Sequence, residues 1–107
     1  MKGMGGGMQN LMRQANQMQM KMKKLQEELA TREFNGTAGG DGVKVTCTGD
    51  MKVKAVEIKP DVIEAGDVEM LQDLVTAAVN DALTTAKETS DKEMNKVTGG
   101  MNIPGMF

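Results

Sequence analysis

The sequence lacks histidine, tryptophan and tyrosine, and it has one cysteine, two prolines and two phenylalanines among 107 residues. Without histidine, the usual zinc sites have too few ligands, and the Cys47 thiol has no imidazole to activate it. A single cysteine also excludes a disulfide framework within one chain. The sequence shows no paired-carboxylate or cofactor motif. We therefore predict a protein that is not an enzyme and that uses no metal, cofactor or small-molecule substrate.

Long apolar runs are also missing. No run approaches the roughly 20 residues that span a bilayer, and the N-terminus has no hydrophobic signal segment, so we expect a cytoplasmic protein with no membrane partner. With only Phe34 and Phe107 as aromatics, the core must be aliphatic and methionine-based. A core this lean in a chain this short predicts that much burial occurs between subunits.

A long N-terminal helix is predicted over residues 8–32, because apolar side chains recur there at alternating steps of three and four. They are Met8, Leu11, Ala15, Met18, Met22, Leu25 and Leu29, which we call the seam. Such a heptad seam needs a partner, either a second copy of the chain or a later helix of the same one. We predict a homodimer with five seam residues at its interface, namely Leu11, Met18, Met22, Leu25 and Leu29.

Three strands are predicted after this helix, over residues 34–38, 43–48 and 51–59, with glycine-rich turns between them. The apolar alternation slips within the third strand, which indicates a bulge near residues 54–56. Cys47 shares a strand face with Val43 and Val45, so a buried structural thiol is predicted.

A second long helix is predicted from near Asp67, a good N-cap, to near Val97, with Gly99 just beyond its end. The order α-β-β-β-α predicts an α+β two-layer protomer with a three-stranded antiparallel sheet. Residues 1–107 form one predicted domain, in which residues 1–7 and 99–107 are expected to be flexible tails.

The net charge of −2 conceals an uneven distribution. Residues 1–33 hold six basic and three acidic residues, whereas residues 61–107 hold three and nine. Exposed lysines are often only a solvated surface, but a homodimer would display each basic set twice, which suits the phosphates of duplex DNA. The candidate DNA-binding residues are Arg13, Lys21, Lys23 and Lys24 on the first helix and Lys44, Lys52 and Lys54 on the sheet.

Several short segments occur in a specific order: MKG at 1–3, NLMRQA at 10–15, QMQ at 17–19, GG at 39–40 with VKVT at 43–46, DLVTAAVNDA at 73–82, and VTGGM at 97–101 with PG at 104–105. In these segments the chain resembles the YbaB/EbfC family of bacterial nucleoid-associated proteins. The resemblance implies a homodimer whose helices protrude as arms that bind duplex DNA. It also implies a nucleoid location and effects on nucleoid organisation and gene expression. The arms would correspond here to the stretch that contains Arg13, Lys21, Lys23 and Lys24.

A protein-binding function is the alternative. In it, the N-terminal helix is the arm of an adaptor or holdase-like module that grips protein segments with its methionine-rich seam. The seam would be free in such an adaptor, whereas dimerisation would bury it in the DNA-binding protein.

Overall fold

The chain folds into a helix, a three-stranded sheet and two further helices. The computed structural model describes residues 2–99, with side chains from Gly7 onward. Its elements are α1 (Lys2–Thr31), β1 (Glu33–Ala38), β2 (Val43–Thr48), β3 (Val53–Ile58), α2 (Pro60–Glu64) and α3 (Val68–Val97). The predicted α+β fold with a long N-terminal helix and an antiparallel sheet is confirmed.

The first helix begins earlier than the seam predicts. The expected start is near Met8, whereas α1 begins at Lys2 and includes the glycine-rich residues 3–7. Glycine is a poor helix former, so the sequence pattern favours a tail there. Met1 and residues 100–107, on which the rest of the two predicted tails falls, lie outside the described residues.

The strands form an antiparallel sheet of order β1-β2-β3. The predicted bulge is confirmed, because Thr46 lies opposite Ala55 while Cys47 lies opposite Val53, which leaves Lys54 as the extra residue. The bulge restores the alternation, so one face of β2 and β3 is apolar throughout. This face carries Val43, Val45, Cys47, Val53, Val56 and Ile58.

Small side chains let α3 lie directly on the same side of the sheet, over β1 and β2. Ala78, Ala82 and Ala86 recur every four residues along α3 and are fully buried. Opposite them, Gly36 of β1 leaves room for the helix backbone, since a Cβ there would stand 2.7 Å from the Cα of Ala82. The contact covers β1 and β2, and α3 scarcely reaches β3.

The ends of α3 follow the predicted capping. The Asp67 carboxylate accepts a hydrogen bond from the Met70 N–H at 3.0 Å, and Gly99 follows the C-terminal end with a φ of 65°. The short helix α2 was not predicted. It begins at Pro60, whose fixed φ suits the first position of a helix.

The C-terminal part of α1 packs against the rest of the domain. Leu29 is buried in the core, Leu25 packs against that core, and α1 also contacts α3. The turn after β2 sits against the end of α1, because Gly49 directly faces the backbone of Leu29. The molecule is elongated, with extents of 78 × 22 × 17 Å.

Candidate nucleic-acid interface

The N-terminal half of α1 extends past the last turn of α3. Val97, where α3 ends, lines one shallow depression together with Gln14, Gln17, Met18 and Lys21 of α1. From Gln14 back to Lys2, α1 continues for about 18 Å at 1.5 Å per residue. We call residues 7–24 of α1 the arm.

The arm carries four cations and no anion. Arg13, Lys21, Lys23 and Lys24 are all exposed, and Glu27 is the first acidic residue of the chain. No ion pair within the described part of the chain involves any of the four cations. At 100° per residue, they project from the outer side and from both flanks of the seam. The arm therefore presents positive charge around most of its exposed circumference.

Two of the predicted sheet cations have carboxylates beside them. The Lys54 Nζ lies 3.1 Å from Glu33 Oε2, and the Lys52 Nζ lies 3.8 Å from Asp50 Oδ2. Both pairs are exposed, so each contributes little stability. Their effect is to reduce the local positive charge that an approaching polyanion meets.

The third predicted sheet cation is also compensated. Lys44 and Lys59 line an open depression on the polar face of the sheet, and Asp41 and Glu57 line the same depression. Lys44 lies directly opposite Glu57 in the β2–β3 pairing. The structure therefore separates the predicted DNA-binding residues into a cationic arm and a sheet surface of mixed charge.

The seam residues have three different surroundings within one chain. Leu29 is buried, and Leu25 is partly buried against the core. Met18 and Met22 are half-buried, whereas Leu11 remains 67% exposed. The sequence allowed either a second copy of the chain or a later helix as the partner of the seam. Leu25 and Leu29, the lower seam, pack against a later part of the same chain. Leu11, Met18 and Met22, the upper seam, stay wholly or partly exposed within the protomer.

The acidic residues concentrate far from the arm. Six of them, and no basic residue, fall between Asp61 and Asp81, in α2, at the N-cap of α3 and in the first half of α3. The distal part of α3, from Lys87 to Lys96, holds three lysines and three acidic residues. The charge therefore changes from negative around α2 and the first half of α3 to balanced at the distal end of α3 and positive on the arm. The net charge of residues 61–107 conceals this change.

A second exposed surface lies on β3, and it was not predicted from the sequence. Val53 and Val56 are 46% and 43% exposed, although they share a face with the fully buried Val45 and Cys47. They are exposed because α3 covers only the neighbouring strands. The slip in the apolar alternation of the third strand was the sequence signal for this surface, because the bulge that corrects the slip places Val53 and Val56 on the core face.

Cys47 is buried, as its strand phase predicts. Burial, and to a lesser extent the Asp50 carboxylate, raises the pKa of its thiol, which keeps the thiol protonated and unreactive at neutral pH. Within residues 2–99, no three potential ligands among His, Cys, Asp and Glu come together to hold a metal ion. No helix in that part of the chain is long and apolar enough to cross a membrane.

Known proteins are similar to this chain over nearly its whole length. A nucleoid-associated protein of Clostridium novyi (strain NT) is 53% identical over an aligned length of 107 positions, and the match covers 98% of this chain and 94% of that protein. Another, from Alkaliphilus metalliredigens (strain QYMF), is 51% identical with the same coverage.

A solved structure shares the fold at lower sequence identity. The crystal structure of an uncharacterised protein from Helicobacter pylori matches with a TM-score of 0.69 and 21% identity, covering 83% of this chain and 94% of that one. The sequence model of the YbaB/EbfC DNA-binding family, which is not an enzyme family, matches residues 4–101. The chain therefore belongs to the YbaB/EbfC DNA-binding family.

Proposed function

We propose that this protein binds duplex DNA as a homodimer, mainly through contacts between the cations of its arms and DNA phosphates. The observation that carries the proposal is the arm itself, which has four exposed cations and no carboxylate between residues 7 and 24. Cations so placed neutralise phosphates and release condensed counterions when DNA binds. Acting in the cytoplasm on the nucleoid, such a dimer would influence nucleoid organisation and gene expression.

The distribution of charge gives the complex a direction. The acidic residues between Asp61 and Asp81 repel phosphates, so DNA approaches the end of the molecule that carries the arm. Lys44, Lys52 and Lys54 of the sheet add weaker contacts, because carboxylates beside them already compensate much of their charge.

The homodimer is proposed to form over the uncovered part of β3. Val53 and Val56 lie on the core face of the sheet, where α3 leaves them exposed. Ile63, Val68 and Met70 add further exposed apolar surface in α2 and at the start of α3. A second copy that presents the same surface would bury both sets at once, as a two-fold interface requires. Leu11 and Met18 of the seam remain available for contacts between the two arms.

A charge placed on either face of β3 tests this interface. Val56→Asp introduces a carboxylate on the apolar face, and Ala55→Asp introduces the same carboxylate on the polar face of the same strand. At micromolar concentration, sedimentation of the wild type and of Ala55→Asp should give about twice the 11.5 kDa chain mass. Val56→Asp should sediment as a monomer. A wild type that is itself a folded monomer contradicts the dimer.

DNA binding is tested by titrating the whole protein with duplex DNA at several salt concentrations. The proposal expects log K to fall linearly with log salt, because each phosphate contact releases counterions. Affinity that does not depend on salt, or no binding at low salt, contradicts phosphate contacts from the arm.

One observation favours a protein-binding adaptor as the second candidate. Met8, Leu11 and Met12 of the arm are 64–67% exposed, which suits a flexible surface that grips apolar segments. Under this function, replacing the three by serine abolishes suppression of aggregation of an unfolded client protein. DNA binding through arm cations should survive the same replacement.

A further inference from the structure

The outer face of the arm, which points away from the seam, carries an amide and a thioether that phosphate binding does not explain. Asn16, Met20 and Lys23 follow one another on successive turns of α1, within about 60° around the helix axis. Together with Gln19 they line one shallow depression. A face that only bound phosphates would need neither an amide nor a thioether there.

Asn16 is unusual for its position. Asparagine is a weaker helix former than the alanine, glutamine or lysine that suit an exposed helix interior. Asn16 lies in the middle of α1 and is exposed, so it has no role as a helix cap or as core. Its amide makes no side-chain hydrogen bond within the described part of the chain. Both the donor and the acceptor of the amide are therefore available to a ligand.

Met20 is equally unexplained by the fold. It is 71% exposed, and it projects from the side of α1 opposite the seam, where neither α3 nor the sheet covers it. One helical turn, about 6 Å, separates it from Asn16. An amide and an apolar group at this spacing on a cationic helix match what the major groove of DNA presents at A·T pairs, a donor–acceptor pair on adenine and a methyl group on thymine.

We propose that the outer face of the arm enters the major groove and reads A·T base pairs. The Asn16 amide N–H donates to N7 of adenine, and the N6–H of adenine donates to the Asn16 carbonyl oxygen. Met20 packs on a thymine methyl group one to two base-pair steps away, and Lys23 holds the helix in register through a phosphate. An α-helix about 10–12 Å across fits the groove, which is about 12 Å wide.

This inference rests on the proposed function, and its test separates the two. The full-length wild type is first used to select its preferred site from randomised duplexes, and an A·T requirement is expected at one position or more. Asn16→Ala should reduce the discrimination at that position by about 5- to 150-fold, the usual value of one bidentate base contact. The salt slope should stay unchanged, because no phosphate contact is lost. Alanine favours helix, so misfolding of the arm is not a concern.

Gln17→Ala is the matched control. Gln17 is also an exposed amide and follows Asn16 directly in the sequence, but it lies beside Val97 and off the outer face. It should retain the wild-type base preference. Loss of the preference in Gln17→Ala as well as in Asn16→Ala would overturn the assignment to the outer face.

Modified bases identify the individual contacts. Replacing the selected adenine by 7-deazaadenine removes N7, and replacing thymine by uracil removes the methyl group. The wild type should bind both modified sites more weakly, Asn16→Ala should not respond to the first, and Met20→Ala should not respond to the second. If the wild type selects no A·T position, or if Asn16→Ala keeps the preference, base reading by this face is wrong. Salt-dependent binding that persists in that case would leave the proposed function intact.

Discussion

Replacing Gly36 by alanine tests how α3 is held on the sheet. The added Cβ would stand 2.7 Å from the Cα of Ala82, with other backbone atoms of α3 closer still. An ordinary carbon–carbon contact is about 3.5–4.0 Å, so α3 must move away by about 1 Å. Overpacking of this kind costs about 1–3 kcal/mol. The cost should lie in the upper part of that range here, because the added Cβ meets backbone atoms of α3, which cannot move aside by changing a rotamer.

The displacement also weakens the packing of Ala78, Ala82 and Ala86. We expect a net loss of about 2 kcal/mol, after allowing about 0.5–1 kcal/mol that alanine gains over glycine in a strand. In urea, with a slope of about 1–3 kcal/mol per molar, the unfolding midpoint should fall by about 1 M. Wild type and variant must be compared at one protomer concentration, because dimerisation shifts apparent stability.

Gly7→Ala is the control, since Gly7 lies in α1 and a Cβ there meets nothing within 4 Å. It should leave stability unchanged or raise it by up to about 1 kcal/mol. A Gly36→Ala protein as stable as the wild type would refute the close approach of α3 to β1.

Two further variants probe the core. Cys47→Ala should leave DNA affinity unchanged and cost about 1 kcal/mol through lost packing. Folding raises the pKa of the Cys47 thiol, so the contribution of this thiol to stability is complete below the pKa of the unfolded thiol. That contribution is lost as pH rises through the pKa of the folded thiol. Urea midpoints measured across this alkaline range should therefore fall more for the wild type than for Cys47→Ala, and equal declines would contradict the burial argument. Leu25→Asp should cost several kcal/mol, because it places an unpaired charge against the core. Its urea midpoint should be low at every protein concentration, unlike that of an interface variant, and a stably folded Leu25→Asp monomer would contradict the packing of the lower seam.

Local patterns in the sequence predicted most of the fold. The strand alternation, its slip in β3 and the Asp67 cap each depend on neighbouring residues, and each prediction is confirmed. The start of α1 was misplaced because glycine propensity argues against helix in residues 3–7. The helix α2 was missed because Pro60 was interpreted only as the end of a strand, although proline also favours the first position of a helix.

The candidate site was less predictable because it depends on tertiary placement. Lys54 and Glu33 are 21 positions apart and meet only through the register of three strands. Which part of the seam is buried within the protomer depends on where α3 ends beside Met18. The sequence predicted a group of cations on the first helix, but it could not show that most acidic residues after Pro60 lie away from the end of α3 that adjoins the arm.

The measurement that tests the central claim most directly is the salt dependence of DNA affinity for two matched triple variants. One changes Lys21, Lys23 and Lys24 of the arm to alanine, and the other changes Lys44, Lys52 and Lys54 of the sheet to alanine. In a dimer each removes six charges. At about 0.9 per phosphate, the arm variant can lose up to about five units of slope in a plot of log K against log salt. Its affinity should weaken similarly on all DNA sequences, while the sheet variant should lose much less slope. An arm variant with unchanged affinity and slope would contradict the account, and a loss confined to the sheet variant would place the DNA surface on the sheet.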